Sequence, residues 1–216
     1  MKKMVLFSAV AGAFVLTSAF IVLKPATTPA APNTTQYAPV QAPAKWVLDK
    51  AHTNVRFSVA HLVVSDVDGS FKSFDGNMTS AKPDFTDAAI NFTADVNSIN
   101  TDNEMRDKHL KSDDFLNAEK FPQIKFVSKS FQSLGDNKYK LTGDLTIRDI
   151  TKTVSFDVTY GGTVTAMGGT HLGFKAKTTV NRFDYNLKWD KTTEAGGLIA
   201  GKDVEITLNI DMKKVV

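Results

Sequence analysis

The stretch "VEITLNIDM", from Val204 to Met212, places an apolar side chain at every second position and a polar one between. Successive side chains of a β-strand point to opposite faces, so this order predicts a strand with one buried and one solvated face. Similar alternation recurs at residues 55–59, 90–96, 154–160 and 174–180. Groups of Gly, Asp and Asn between the runs are typical of hairpin turns. Many antiparallel strands with short turns predict an all-β domain, either a sandwich or a closed barrel.

The N-terminal part of the chain has a different composition. Residues 1–23 begin with two lysines followed by an apolar run, the order of a secretory signal peptide. The run is also about as long as a bilayer-spanning helix, so a retained membrane anchor is the alternative. Residues 24–44 are rich in Pro, Ala and Thr, which predicts an extended linker. We therefore expect a periplasmic or otherwise exported globular domain over residues 45–216, tethered to the membrane if the first segment is retained.

Charge and cysteine content exclude several classes of protein. The chain has 26 basic and 23 acidic residues, and the surplus is accounted for by Lys2, Lys3 and Lys24 in the N-terminal part. The balanced remainder argues against nucleic acid as a partner, because such proteins usually present a basic surface. The absence of cysteine excludes disulfides, thiol catalysis and Cys-ligated zinc.

Residue patterns for catalysis and metal binding are weak in this sequence. The four histidines lack the i, i+4 spacing of helical metal ligands. Adjacent Asp113 and Asp114 do not share a helix face, and a G-x-S-x-G nucleophile elbow is missing. We predict no catalytic residue, no metal site and no cofactor, and His61 and His109 are the candidates for an enzymatic alternative.

The segment "TDNEMRDKHLKSDDFLNAEKFPQIKF", residues 101–126, interrupts the strand pattern. Thr101 and Glu104 fit a capping box, which predicts that a helix starts there, and Pro122 ends the helical part. We expect its apolar side chains to pack on the sheet: Met105, Leu110, Phe115, Leu116 and Phe121. Its charged side chains would then point outward or border an opening.

Phenylalanines occupy inward positions on several predicted strands, among them Phe57, Phe92, Phe126, Phe156 and Phe174. They predict either a packed core or an apolar cavity, since a barrel of about eight strands is wide enough for one small ligand. The segment "NRFDYNLKW", residues 181–189, carries aromatic residues at alternate positions. Both strand pairing and a place at a tunnel mouth fit that pattern.

The whole domain, from Trp46 to about Met212, resembles the YceI family of lipid-binding, lipocalin-like proteins. The opening segment "WVLDKAHTNVRFSVAHL" is similar to the family's pattern through Asp49, His52, Phe57, Val59 and His61. Further similarity lies in "VDGSFKSFDGNM", "SINTDNEMRDKHLKSDDFLNAEKFPQIKF", "LTGDLTIRDITKTVSF" and "EAGGLIAGKDVEITLNI".

The resemblance implies an extended antiparallel lipocalin-like β-barrel of about eight strands, with a short helical insert covering one end. It also implies an exported, non-enzymatic protein that holds a polyisoprenoid, isoprenoid quinone or similar lipid for transport, storage or sequestration. We expect the apolar lining to include Phe57, Val59, Phe92, Phe126, Phe156 and Phe174. An enzyme that modifies such a lipid and a packed, stress-related barrel are the alternatives, and the sequence leaves a homodimer open.

Three basic residues of the insert are candidates for the rim of the barrel. We hypothesise that Arg106, His109 and Lys111 meet the polar or anionic head group of the lipid, since arginine can bind phosphate through two hydrogen bonds. The alternative is that Arg106 and Asp107 only pin the helix to neighbouring strands.

Overall fold

The computed structural model describes residues 42–166, 168–194 and 196–215, so the expected signal peptide or anchor, and the expected linker up to residue 41, lie outside the described residues. The described part forms eleven strands and one α-helix: β1 Ala44–Leu48, β2 Asn54–His61, β3 Ser65–Phe71, β4 Phe74–Ser80, β5 Ala89–Asp95, β6 Ile99–Asn100, α1 Glu104–Lys111, β7 Gln123–Gly135, β8 Lys138–Ile147, β9 Ile150–Ala166, β10 Gly169–Asn181 and β11 Ala200–Val215. Within these ranges, no helix combines the length and the apolar character needed to cross a bilayer.

The strands close into one antiparallel barrel of eight strands, three of which are each built from two shorter strands in line. Along β11, β2 pairs with the first half, where Ala200 lies opposite His61, and β1 pairs with the last residues, where Met212 lies opposite Leu48. The next barrel strand consists of β4 and β3 in line, with β4 paired to β1 and β3 paired to β2. The one after it consists of β5 and β6 in line, with β5 paired to β4 and β6 paired to β3. Strand β5 then pairs with β7, and β7 to β11 are neighbours in chain order. The prediction of an all-β barrel of about eight strands with one short helix is confirmed.

The two-residue period of the sequence sets which side chains enter the barrel. On β10, Leu172, Phe174 and Ala176 are buried, whereas Lys175 and Lys177, which alternate with them, are exposed. Burial of the apolar members provides the main free energy that holds the strands in register, since a shift by one residue would expose them all.

Aromatic side chains fill one end of the barrel, which we call the closed end. Phe85 dips into it from the loop between β4 and β5, and its ring meets those of Trp46, Tyr160 and Phe174 edge-on at centroid distances of 5.5 to 6.4 Å. Phe85 itself adopts a φ of +59°, in the left-handed region that is costly for a bulky residue. Aromatic edge contacts of this kind favour a packed, dry end of the barrel.

The helix α1 lies at the opposite end, which we call the helix end. The predicted cap at Thr101 is wrong, because the side chain of Asn103 accepts the hydrogen bond from the Arg106 N–H and the helix begins at Glu104. Met105 is also not packed on the sheet, as its side chain is 83% exposed. Phe115, just after the helix, is buried as expected.

The segment 181–189 does not continue β10 as a strand. It forms a 3₁₀ turn over Arg182–Tyr185, capped by Asn181, and then leaves the sheet at Asn186, whose φ is +62°. The strand-pairing interpretation of this segment is therefore wrong, and the chain here crosses the helix end.

Candidate ligand cavity

A cavity of about 380 Å³ lies between the aromatic closed end and the helix end. Its wall is almost entirely apolar, and its volume falls in the range of about 300–1,000 Å³ that is typical of small-molecule sites. Along β11 the wall extends from Ala200 to Met212, which is about 40 Å of strand at about 3.4 Å per residue. The shape therefore suits a long, narrow apolar molecule. Phe131 and Phe174 line its deep part and close it there.

The structure places all six apolar residues named from the sequence in the wall of this cavity. Phe126, Phe156 and Phe174 are buried, with 4 to 8% of each residue exposed. Phe57, Val59 and Phe92 are half-buried and also line the cavity. Their contact with a ligand stays a prediction.

Two glycines explain how large rings can line the barrel and still leave it hollow. A Cβ on Gly69 would lie 2.2 Å from Cζ of Phe57, and one on Gly143 would lie 2.4 Å from Cζ of Phe126. Each ring thus rests against the backbone of a neighbouring strand, in space that any other residue would fill. The rings lie along the wall, and the middle of the barrel stays open.

Arg106 lines the cavity and is also tied to the end of β6. Its Nε donates to Oγ1 of Thr101 at 2.8 Å and its Nη2 donates to the Thr101 carbonyl at 2.7 Å. The Asp107 carboxylate accepts from the N–H and the hydroxyl of Thr101 at 2.9 and 2.6 Å. These bonds show that Arg106 and Asp107 pin the helix, as in the alternative interpretation. Contact of Arg106 with a head group stays a prediction, and Lys111 does not line the cavity.

His109 belongs to a cluster of three rings at the helix end of the cavity. Its ring centroid lies 5.0 Å from that of Phe115 and 5.7 Å from that of Trp189, which are 5.5 Å apart. Nε2 of His109 lies 2.9 Å from Oδ2 of Asp114, which fixes the plane of the imidazole. All three rings line the cavity, so the cluster forms part of its mouth. The alternate aromatics of residues 181–189 were the only sequence signal for Trp189.

Arg182 is a cavity-lining cation that the sequence did not single out. Arg182 is only 3% exposed, and its guanidinium donates to the carbonyls of Gly201, Leu187 and Ala200 at 2.7 to 3.0 Å. Burial lowers the pKa of this arginine, and the charge of Asp190 opposes that effect. Within the described ranges no carboxylate lies within 4.0 Å of it. It therefore brings positive charge to a part of the cavity where the ligand could carry a polar group.

The paired acids of the insert are held in structural contacts. Asp113 accepts from Nη2 of Arg148 at 3.1 Å, and Asp114 pairs with His109. Nη1 of Arg148 also donates to the carbonyls of Asp113 and Phe115. These bonds tie the turn after α1 to the β8–β9 connection.

Two histidine–aspartate pairs lie on the outside of the barrel. Nδ1 of His171 is 3.0 Å from Oδ1 of Asp211, and Nδ1 of His52 is 3.0 Å from Oδ2 of Asp49. Asp49, His171 and Asp211 bring their potential metal-ligand atoms within 4.8 Å of one another. Each of these three side chains is engaged in a carboxylate–imidazole pair, Asp49 with His52 and Asp211 with His171. The hydrogen bond with Asp49 raises the pKa of His52, and the same bond lowers the pKa of Asp49.

Comparison with known proteins gives consistent matches over this barrel. The model of the YceI-like domain family matches residues 46–212. A UPF0312 protein of Staphylococcus aureus (strain MSSA476) is 39% identical over 162 residues, which cover 74% of this chain and 92% of that protein. The crystal structure of Burkholderia cenocepacia BcnA superposes with a TM-score of 0.66 at 25% identity, covering 76% of this chain and 98% of BcnA.

A more distant structural neighbour is a polyisoprenoid binding domain from Saccharophagus degradans, implicated in plant cell wall breakdown. It superposes with a TM-score of 0.59 at 12% identity, covering 79% of this chain and 98% of that domain. At this identity the likeness shows a shared fold.

Proposed function

The chain belongs to the family of YceI-like domain proteins, and from that premise we propose that it is an exported, non-enzymatic binding protein for a long apolar amphiphile. The observation that carries the proposal is the narrow apolar cavity, closed by aromatic side chains at one end. We extend to this chain the ligand class of the Saccharophagus degradans domain, and propose a polyisoprenoid, an isoprenoid quinone or a similar lipid.

The apolar wall can supply the affinity without special chemistry. A tail that buries about 15 methylene groups gains up to about 12 kcal/mol, at about 0.8 kcal/mol for each group. Association costs at least about 4 kcal/mol in lost translational and rotational freedom. The difference, at most about 8 kcal/mol, corresponds to a Kd of about 1 μM at the tightest. Transport, storage and sequestration are all compatible with binding of this strength.

The distribution of polar groups sets the direction of the ligand. The cationic and hydrogen-bonding groups that line the cavity near its mouth include Arg106, His109 and Arg182, whereas Phe131 and Phe174 end it. We propose that the tail points to the closed end and the head group lies among the three mouth residues. A charge-assisted hydrogen bond from a guanidinium to a carbonyl or phosphate oxygen would fix the head group there.

We also propose that binding takes place outside the cytoplasm. The support is the sequence of residues 1–23, two lysines followed by an apolar run. Cell fractionation with N-terminal sequencing tests this directly. We expect the protein in the periplasm, or on the outer face of the inner membrane if residues 1–23 are retained. Soluble protein with an intact N-terminus in the cytosol would contradict export.

Organic extraction of the purified full-length protein followed by mass spectrometry tests the ligand proposal. We expect close to one long-chain lipid for each folded chain, and no such lipid from a matched preparation of an unrelated exported protein. Protein that contains no lipid and takes none up from a polyisoprenoid or quinone solution would contradict it. Chemical conversion of the extracted lipid by the protein would instead support the enzymatic alternative.

A further inference from the structure

Four exposed apolar side chains lie at the helix end of the barrel, and we call them the apolar lip. Leu62, Val63 and Val64 form the turn between β2 and β3, and Met105 projects from α1. Val63, Val64 and Met105 are 82 to 85% exposed and Leu62 is 40% exposed. Single exposed apolar residues are ordinary, but three consecutive ones at the tip of a turn are not.

The lip is continuous with the cavity. His61, directly before the turn, lines the cavity, and the N–H of Leu62 donates to the carbonyl of Ile199, which lines it too. In α1, Arg106 directly follows Met105 and also lines the cavity. A molecule that enters or leaves at the helix end therefore passes the lip.

The turn keeps apolar residues where they strain the backbone. Leu62 and Val63 have φ values of +52° and +65°, and the N–H of Val64 donates to the His61 carbonyl at 3.2 Å. Turns with two such residues favour Asn and Gly, and the left-handed region is unfavourable above all for a β-branched residue such as valine.

Another turn of the same barrel shows the favourable solution. Between β7 and β8, Asp136 and Asn137 occupy the two positive-φ positions, with values of +48° and +60°. Short polar side chains of this kind tolerate the left-handed region. The β2–β3 turn instead carries strained apolar residues, of which Val63 is 82% exposed. Strain retained at an exposed site points to a function for those side chains.

We propose that the apolar lip inserts into the surface of a lipid bilayer while the ligand moves between the membrane and the cavity. This inference rests on the proposed lipid-binding function. A stable protein interface needs about 800 Å² on each partner, which four side chains do not supply. A bilayer needs no complementary surface, and a few apolar groups suffice for weak, reversible insertion. The uncharged tip, Leu62–Ser65, suits the acyl boundary of a membrane.

The absence of cysteine allows the depth of the lip to be measured in the full chain. Val64→Cys is labelled with a polarity-sensitive fluorophore and mixed with vesicles of phosphatidylcholine and phosphatidylglycerol that contain brominated lipid. Val164→Cys is the matched control, because Val164 is 59% exposed on β9 near the closed end. Both variants carry residues 1–23, so any membrane attachment through that segment is present in both. We expect a blue shift and bromine quenching at position 64 and neither at position 164.

Two results with the labelled protein would overturn the proposal. One is equal quenching at both positions, or none at position 64. The other is a blue shift at position 64 without vesicles in a chain that sedimentation shows to be dimeric, because a second copy would then cover the lip.

A double variant separates docking from folding. Leu62→Asn combined with Val63→Gly gives the turn the residues that its backbone favours, so the melting temperature should rise. Withdrawal of two apolar side chains should slow lipid transfer from vesicles at least tenfold, while loading from detergent solution stays unchanged. Unchanged transfer from vesicles, or an equal loss from both sources, would overturn the inference. If the unaltered chain loads from neither source, the proposed lipid-binding function itself fails, and the labelling result still reports on docking.

Discussion

Replacing Ala176 by phenylalanine tests whether the barrel is hollow. Ala176 is 6% exposed on β10, lies opposite Val158 and Leu208 on the two neighbouring strands, and lines the cavity. In a packed core the added ring would force neighbouring side chains apart, at a cost of about 1–3 kcal/mol. In the hollow barrel it can extend into the cavity, so we expect Ala176→Phe to retain the melting temperature of the unaltered chain within a few degrees.

The same ring should block the ligand. Its six carbons displace about five methylene groups of a bound tail, which removes about 4 kcal/mol at about 0.8 kcal/mol each. That loss corresponds to about a thousandfold increase in the Kd. A shorter ligand whose tail ends above position 176 should lose much less affinity.

Ala88→Phe is the matched control for this substitution. Ala88 is 7% exposed and belongs to the packed core beside the closed end, but it does not line the cavity. We expect it to destabilise the protein by at least about 1–3 kcal/mol, with a nearly unchanged Kd for the protein that remains folded. Fluorescence titration with a long-chain probe gives the Kd, and urea unfolding gives the free energy. Similar destabilisation by both substitutions, with ligand affinity unchanged in Ala176→Phe, would refute a hollow barrel.

Three further perturbations test other parts of the structure. Gly69→Ala should push the Phe57 ring into the cavity, since the new Cβ would lie 2.2 Å from Cζ of Phe57. We expect urea unfolding to show a loss of about 1–3 kcal/mol of stability, and ligand titration to show a higher Kd. Unchanged stability and Kd would contradict the contact between the Phe57 ring and Gly69. By NMR titration, the pKa of His52 should lie above its ordinary 6.5 and should return toward 6.5 in Asp49→Asn. The pair then stabilises the fold between about pH 4 and 6.5, and this contribution is lost as the pH rises through the folded pKa of His52 or falls through the lowered pKa of Asp49. A pKa of His52 that does not change in Asp49→Asn would contradict the pairing. Burial, with a smaller contribution from Asp184, raises the pKa of Tyr185 to about 12, and the Tyr185 hydroxyl has no hydrogen-bond partner among the described residues. Tyr185→Phe should therefore leave the stability at pH 7 unchanged or raise it, and should reduce the loss of stability between pH 10 and 12, where Tyr185 ionises in the unfolded chain first. An equal loss of stability at alkaline pH in both proteins would contradict the raised pKa.

The two-residue period was sufficient to predict the barrel and its inward face. On β10 the apolar residues of the alternating pattern are the buried ones. Alternation could not show that three of the eight barrel strands are built from two pieces. The two pieces of each such strand are separated by local irregularities of the backbone, such as the 3₁₀ turn Val96–Ser98 between β5 and β6. The pattern of apolar residues in the sequence does not mark this turn.

Long-range packing explains the features that the sequence did not predict. Phe85 comes from a polar loop, and only the closed barrel brings its ring against Tyr160 and Phe174. The buried Arg182 donates to the carbonyls of Leu187, Ala200 and Gly201. The spacing of these residues in the sequence does not predict that they come together.

The helix end shows how local signals mislead. Thr101 and Glu104 have the spacing of a capping box, yet Asn103 caps the helix and Thr101 binds Asp107 and Arg106 instead. Competing side-chain hydrogen bonds decide between such alternatives, and they depend on where β6 ends.

An experimental structure of the exported protein, purified without added lipid, tests the hollow barrel most directly. We expect elongated density that runs inside the barrel from the rings of His109 and Trp189 to Phe131 and Phe174. Phe126 and Phe156 already contact each other edge-on. A barrel in which Phe57 turns inward and meets these two rings across the middle, with no continuous space left, would contradict the account.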